Sequence, residues 1–326
     1  MTGRAAIKGA FHRMVSAFVF PGQGAQAVGM GRELADAFPV ARHLFQEVDD
    51  ALSQKLSALM FDGPEEQLTL TENAQPALMA VSLATLRVLE TEGGLDIAAK
   101  GAFVAGHSLG EYSALAAAGA FSVADAARLL KRRGLAMQRA VPVGVGAMAA
   151  LLGAELPLAE EIAAAAAGDQ ICAAANDNGG GQVVLSGHKE AIDRLPEIAK
   201  ARGVKRVMPL SVSAPFHCPL MQPAADEMQE ALAKIAIAPP RLPVVANVTA
   251  RPESDPEAIR DLLIRQVTGL VRWRESVLWL KDQGVAMLVE LGQGKVLSGL
   301  VKRIDKEMTG IACGTPAEVE TLLKQI

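Results

Sequence analysis

The residues best placed to do chemistry lie in Gly106-His107-Ser108-Leu109-Gly110, a G-x-S-x-G pentapeptide between a short apolar run and a helical run from Glu111 to Ala118. In that setting the glycines permit a sharp strand-to-helix turn that presents the Ser108 oxygen at a helix N-terminus. There the free N–H groups of Leu109 and its neighbours, with the positive end of the helix dipole, stabilise developing negative charge. An inert serine in a glycine-rich turn is the alternative, and the strand–turn–helix context favours the nucleophile. A serine hydroxyl needs a base. Of the five histidines, His12 sits in the N-terminal stretch, while His43 and His188 lie in or beside surface helices and read as solvated side chains. His107, inside the turn, diverges from Ser108. His217 is left, held in the loop Ser213-Ala214-Pro215-Phe216-His217-Cys218-Pro219 as a general base or, alternatively, as a structural histidine.

Arg133 is the most informative cation. On a helix opened by Ser122, a 100° step per residue sets Arg133 among Leu129, Leu130 and Met137, with Arg128, Lys131, Arg132 and Arg139 on the other side. A guanidinium in an apolar stripe must find acceptors or an anion. An internal salt bridge, snorkelling to the helix edge, or a substrate carboxylate beside the serine would each satisfy it. Other signals are weaker. Pro21-Gly22-Gln23-Gly24 and Gly292-Gln293-Gly294 are glycine turns, and neither is a nucleotide-binding fingerprint. Cys218 reads as a buried structural thiol, and no HExxH-type metal spacing exists.

Positioning these groups requires a sheet. Strand-like runs at Ala17–Phe20, Ala102–Ala105, Pro243–Ala246, Val285–Leu291 and Ile311–Cys313 alternate with helical patterns, which points to an α/β fold with a parallel sheet. Ser122 with Asp125, and Thr315 with Glu318, have capping-box spacing. Between 144 and 210 the order changes to strand (Ala147–Leu152), helix (Leu156–Ala167), strand (Gln170–Ala175), an Asn-Asp-Asn-Gly-Gly-Gly turn, strand (Gln182–Ser186), helix (Lys189–Ala201) and strand (Val204–Leu210). This is the β-α-β-β-α-β order of a ferredoxin-like unit, inserted as a small subdomain (144–210) into a core made of 17–143 and 211–326. Residues 1–16 form an N-terminal extension with Arg4, Lys8 and Arg13 and no acid; lacking an apolar h-region, it reads as a ragged start, with Met14 a plausible initiator.

Composition narrows the function classes. With 32 basic against 36 acidic residues the net charge is −4, and aromatics make up 4% of the chain, so neither the field nor the stacking surface of a nucleic-acid binder is present. Half the residues are apolar and 21% charged, the balance of a chain that folds. The longest uncharged apolar stretch, Ala140 to Ala154, falls short of the roughly 20 residues of a membrane span and contains Pro142. Three cysteines (Cys172, Cys218, Cys313) without CxxC spacing argue against a disulfide framework and fit a reducing cytoplasm.

Taken together, Phe18-Val19-Phe20-Pro21-Gly22-Gln23-Gly24, Gly106-His107-Ser108-Leu109-Gly110-Glu111, Lys131-Arg132-Arg133-Gly134, Phe216-His217 and Gly294-Lys295-Val296-Leu297 resemble the malonyl-CoA:acyl carrier protein transacylases, acyltransferases of fatty acid synthesis. The resemblance covers nearly the whole chain except its first 13 residues. It implies an α/β-hydrolase-like large subdomain with a ferredoxin-like insert. Ser108 would attack the malonyl thioester, His217 would carry the proton, and the Gln23 and Leu109 N–H groups would form the oxyanion hole. Arg133 would hold the malonyl carboxylate, Gln266 would orient His217 through its main-chain carbonyl, and Asn176 would line the pantetheine channel. The unit would be a serine–histidine dyad, no acid between Ser108 and His217 standing out as a third member. Phe216 fits malonyl preference, and Gln293 stands where the family often has proline. Transfer would be ping-pong, with malonyl-CoA and acyl carrier protein as partners and no free cofactor. The acidic carrier would dock on local positive potential, with Lys205, Arg206, Lys302 and Arg303 as candidates. An acyltransferase of a polyketide pathway, a serine thioesterase or esterase, and an inactive scaffold are the competing readings.

Overall fold

A computed structural model describes residues 15–325; the expectations placed on residues 1–14, His12 and Met14 among them, lie outside the described residues. Two sheets organise the chain. The larger has six strands in the order β10 (Thr309–Cys313), β9 (Val285–Leu291), β1 (Val15–Phe20), β2 (Gly101–Gly106), β7 (Val244–Ala246) and β8 (Arg251–Glu253). All its pairings are parallel except the antiparallel β7–β8 hairpin. β1 is central and starts at Val15, two residues before the expected Ala17, because Val15 already pairs with Val285. Its alternation shows how the sheet is covered on both sides. Phe18 and Phe20 enter one apolar cluster with the Thr71–Gly93 and Val123–Arg139 helices, whereas Ala17 and Val19 enter another with Trp273 and Val277.

The second sheet is antiparallel, in the order β4 (Cys172–Gly179), β5 (Gln182–His188), β3 (Gly146–Leu152) and β6 (Arg206–Pro209). The Leu156–Ala167 helix closes it, packing Leu156 and Ile162 against Ala149 and Leu151. Local details differ from the sequence reading. β4 runs on through Asn176-Asp177-Asn178, so the turn to β5 shrinks to Gly180-Gly181. The helix expected over Lys189–Ala201 breaks at Arg194, where Pro196, lacking an N–H, opens a second helix, Leu195–Ala201. β8 was not anticipated; three residues are too few to show a period.

Helix caps separate two chemistries that spacing alone equates. Thr315 and Glu318 make both halves of a capping box. Ser122 Oγ accepts from Asp125 N–H at 3.0 Å, but the Asp125 carboxylate accepts from the Ser122 hydroxyl (2.7 Å) instead of reaching back to the backbone, being one methylene shorter than Glu. No helix among the described residues is long and apolar enough to cross a membrane. Because Phe18 is 1% exposed at the centre of the sheet, Phe18→Ala should lower unfolding free energy by about 3–5 kcal/mol, read as a drop in the denaturation midpoint.

Candidate active site

β2 ends at Gly106, Ser108 takes φ 54° and ψ −110°, and the Leu109–Ala117 helix begins at once. Both flanking glycines are forced by close approach: a Cβ on Gly106 would lie 1.9 Å from the Gly110 backbone, and one on Gly110 would lie 2.1 Å from Phe20 O. Ser108 itself pays for its exposure at the tip with a backbone conformation that L residues rarely adopt. Asn247, just after β7, holds the turn: its Oδ1 accepts from Ser108 N–H at 2.8 Å and its Nδ2 donates to Gly106 O at 2.6 Å.

His217 reaches the serine from the loop that follows β6. Its Nε2 lies 2.7 Å from Ser108 Oγ and its Nδ1 2.9 Å from the main-chain oxygen of Gln266. A carbonyl can only accept, so Nδ1 carries the proton and Nε2 is the lone-pair face turned to the hydroxyl. Burial, reinforced by the Arg133 charge, pulls the His217 pKa down to about 3, so the imidazole stays a free base.

Arg133, 1% exposed, donates from Nη1 to Gln75 Oε1 (2.8 Å) and from Nη2 to Gln266 Oε1 (2.8 Å) and Ser108 Oγ (3.1 Å). Its guanidinium carbon also lies 5.6 Å from the centre of the Tyr112 ring. None of its hydrogen bonds reaches a carboxylate, which excludes a direct internal salt bridge among the described residues. The Gln266 amide is oriented by its neighbours: its oxygen must face the cation, leaving Nε2 to donate to Ser108 O (2.9 Å) and Glu111 Oε2 (2.8 Å).

Ser108, His217 and Arg133 open on a cleft of about 290 Å³ whose wall also includes Gln23, Leu109, Met148, Asn176 and Phe216. Neither the Gln23 nor the Leu109 backbone N–H donates to a protein acceptor among the described residues. His107 turns away from Ser108 to bond Asn178 Oδ1 at 2.9 Å. His43 is exposed, whereas His188 is only half-buried and not simply solvated: its Nδ1 accepts from Ile171 N–H at 2.9 Å. Cys218 is buried, its Sγ against Pro215 O. No grouping of His, Cys, Asp and Glu among the described residues has the geometry of a metal site.

Three residues of the site escaped the sequence reading. Gln75 and Asn247 border apolar runs, where a lone amide is easily passed over, and Glu111 stands in the sequence only as the end of a motif and the start of a helical run. Its signal is the only charge in the segment Leu109–Ala118.

The acyl transferase domain family matches residues 17–314. The chain is 47% identical over 309 residues to the malonyl CoA-acyl carrier protein transacylase of Salmonella typhimurium, covering 95% of this chain and 99% of that protein. The chain belongs to the malonyl CoA-acyl carrier protein transacylase family. A crystal structure of an acyl-carrier-protein-S-malonyltransferase from Bartonella henselae superposes with a TM-score of 0.93 at 55% identity, over 95% of this chain and 99% of that one. A malonyl-transacylase in complex with a type II PKS acyl-carrier protein gives 0.92 at 44% identity, over 96% and 100%. The match to transacylases agrees with the fold and family expected from the motifs.

The depressed His217 pKa has a kinetic consequence. At saturating thioester, single-turnover acylation should fall by less than about twofold between pH 7.5 and 5.5, whereas a base with ordinary imidazole pKa would lose about tenfold. For stability, the unfolded chain binds more protons on His217 than the folded one between pH 6.5 and about 3. That contribution is therefore whole above 6.5 and lost as pH falls through the window.

Proposed function

We propose that the chain transfers a malonyl group from malonyl-CoA to the phosphopantetheine thiol of acyl carrier protein through a malonyl-Ser108 intermediate, in fatty acid synthesis. The observation that carries this reading is the buried Arg133 guanidinium 3.1 Å from Ser108 Oγ, a cation where an acyl chain with a terminal carboxylate would end. His217 Nε2 takes the hydroxyl proton as Ser108 attacks the thioester carbonyl. The same proton goes to the departing CoA sulfur, and microscopic reversal on the carrier thiol completes the ping-pong cycle. The uncommitted N–H groups of Gln23 and Leu109 are the donors for the tetrahedral oxyanion, with Leu109 at the start of its helix adding the dipole. Gln266 positions the imidazole through its main-chain oxygen, and Asn176, which shares the cleft wall, borders the path of the pantetheine arm. No cofactor beyond the two thioester carriers is required, and three free thiols are compatible with the cytoplasm.

The carrier docks on a rim carrying two basic pairs. Lys205 precedes β6 and Arg206 opens it, and Lys302 and Arg303 lie in the last turn of the Val296–Ile304 helix; all four are exposed and make no ion pair within the described residues. The β4–β5 turn joins the two pairs. Lys205 lies beside Gly153, whose N–H donates to Gly181 O at 2.7 Å, and Gly180 abuts Arg303. β4 runs from Asn176 in the cleft to this turn, a distance on the order of 13 Å along the strand.

Mixing the protein with malonyl-CoA should give a malonyl adduct on Ser108 by mass spectrometry; an unmodified protein under turnover conditions would favour a scaffold. Arg133→Ala should lower malonyl transfer by roughly 10³–10⁴-fold while acetyl transfer is retained or increased, as measured over a panel of acyl-CoA thioesters with hydrolysis followed in parallel. Replacing Lys205 and Arg206 by Glu should raise KM for holo carrier protein at least about tenfold and leave acylation by a phosphate-free malonyl thioester unchanged.

A further inference from the structure

Among the described residues every hydrogen bond from Arg133 ends on a neutral oxygen, so the charge that answers the guanidinium has to be sought one group further out. It is Glu111. The Gln266 amide bridges the two, taking Arg133 Nη2 on its oxygen and donating from its nitrogen to Glu111 Oε2, each at 2.8 Å. Glu111 is 2% exposed and makes no ion pair among the described residues; its other donor is the Asn247 N–H at 3.1 Å. The charged and titratable groups around it are Arg133 on the Val123–Arg139 helix, Tyr112 on its own helix, His217 beyond the Gln266 carbonyl, and Glu253 of β8 across a small void.

We propose that Glu111 is a positioning residue whose charge competes with the substrate carboxylate for Arg133, so that a malonyl group seated on Arg133 draws a proton from solvent onto Glu111. This rests on the reading that Arg133 holds the malonyl carboxylate. With the site empty, ionised Glu111 is the counter-charge of Arg133 through a polarised amide. When an acyl carboxylate arrives, two anions flank one cation in a water-poor site, and the anion without direct contact gives way. Little is needed to tip it, since burial already pushes the Glu111 pKa up to about 7. Tyr112, raised to about 12, and His217, lowered to about 3, do not titrate in this range. A neutral Glu111 still accepts from Gln266 Nε2 and Asn247 N–H through its carbonyl oxygen, so the machinery keeps its shape and only the charge changes. By linkage, a site that takes up a proton with its ligand binds that ligand more weakly as pH rises.

The test uses Ser108→Ala, which binds without being acylated, and malonyl-pantetheine, which has no phosphate of its own to titrate. Calorimetry at pH 7.5 in two buffers of different ionisation enthalpy should show uptake of about half a proton, and Kd should rise about five- to tenfold between pH 6.5 and 8.5. Adding Glu111→Gln should abolish the uptake and hold Kd within about twofold across that range. Absence of uptake with a flat Kd in Ser108→Ala overturns the proposal, as does a wild-type slope in the double variant; if the double variant does not fold, the uptake in Ser108→Ala alone decides. Failure of Ser108→Ala to prefer malonyl- over acetyl-pantetheine at any pH would instead remove the Arg133 reading beneath it.

Discussion

A guanidinium in a protein interior, with amides and a hydroxyl as its immediate partners, is the constraint around which this molecule is arranged. Removing such a charge from water costs several kcal/mol, and hydrogen bonds to a charged group return about 1.5–3 kcal/mol each. Gln75 and Gln266 supply two of those bonds and Ser108 a third. The result is a cation that is tolerated but not neutralised by contact.

The same bonds tie the cation to the serine and the histidine. Gln266 touches each component: its side-chain oxygen holds Arg133, its nitrogen ties Glu111 to the elbow, and its main-chain oxygen fixes the His217 tautomer. Helices contribute the cation and Gln75, while loops at the carboxyl ends of parallel strands contribute Ser108 and Asn247. The antiparallel sheet adds one wall of the cleft through Met148 and Asn176. Chemistry thus falls at the seam between two sheets, where ligand sites in α/β proteins concentrate.

Much of this was legible in the residues. The parallel sheet followed from apolar runs, because strands buried on both faces lose the polar alternation that would obscure them. Ser108 was legible because a strained turn demands its glycines, and Arg133 because a cation among Leu129, Leu130 and Met137 violates the helical pattern. What stayed hidden were three amide and acid roles defined by distant partners. Gln75 and Asn247 break no local rule, Glu111 breaks one only as a lone acid, and the three acquire their roles from bonds spanning 58, 139 and 155 residues for Gln75, Asn247 and Glu111 respectively. The hairpin strand β8 and the helix break at Arg194 escaped because a three-residue strand shows no period and a proline marks a boundary only once its helix is placed.

The clamp on the elbow has a consequence for synthesis. Gln266 follows Ser108 by 158 residues, and Asn247 by 139. While the polypeptide is emerging from the ribosome, the serine is exposed long before the groups that fix its backbone and orient its base exist. Ser108 therefore has neither its backbone clamp nor the group that orients His217 until synthesis has passed Gln266.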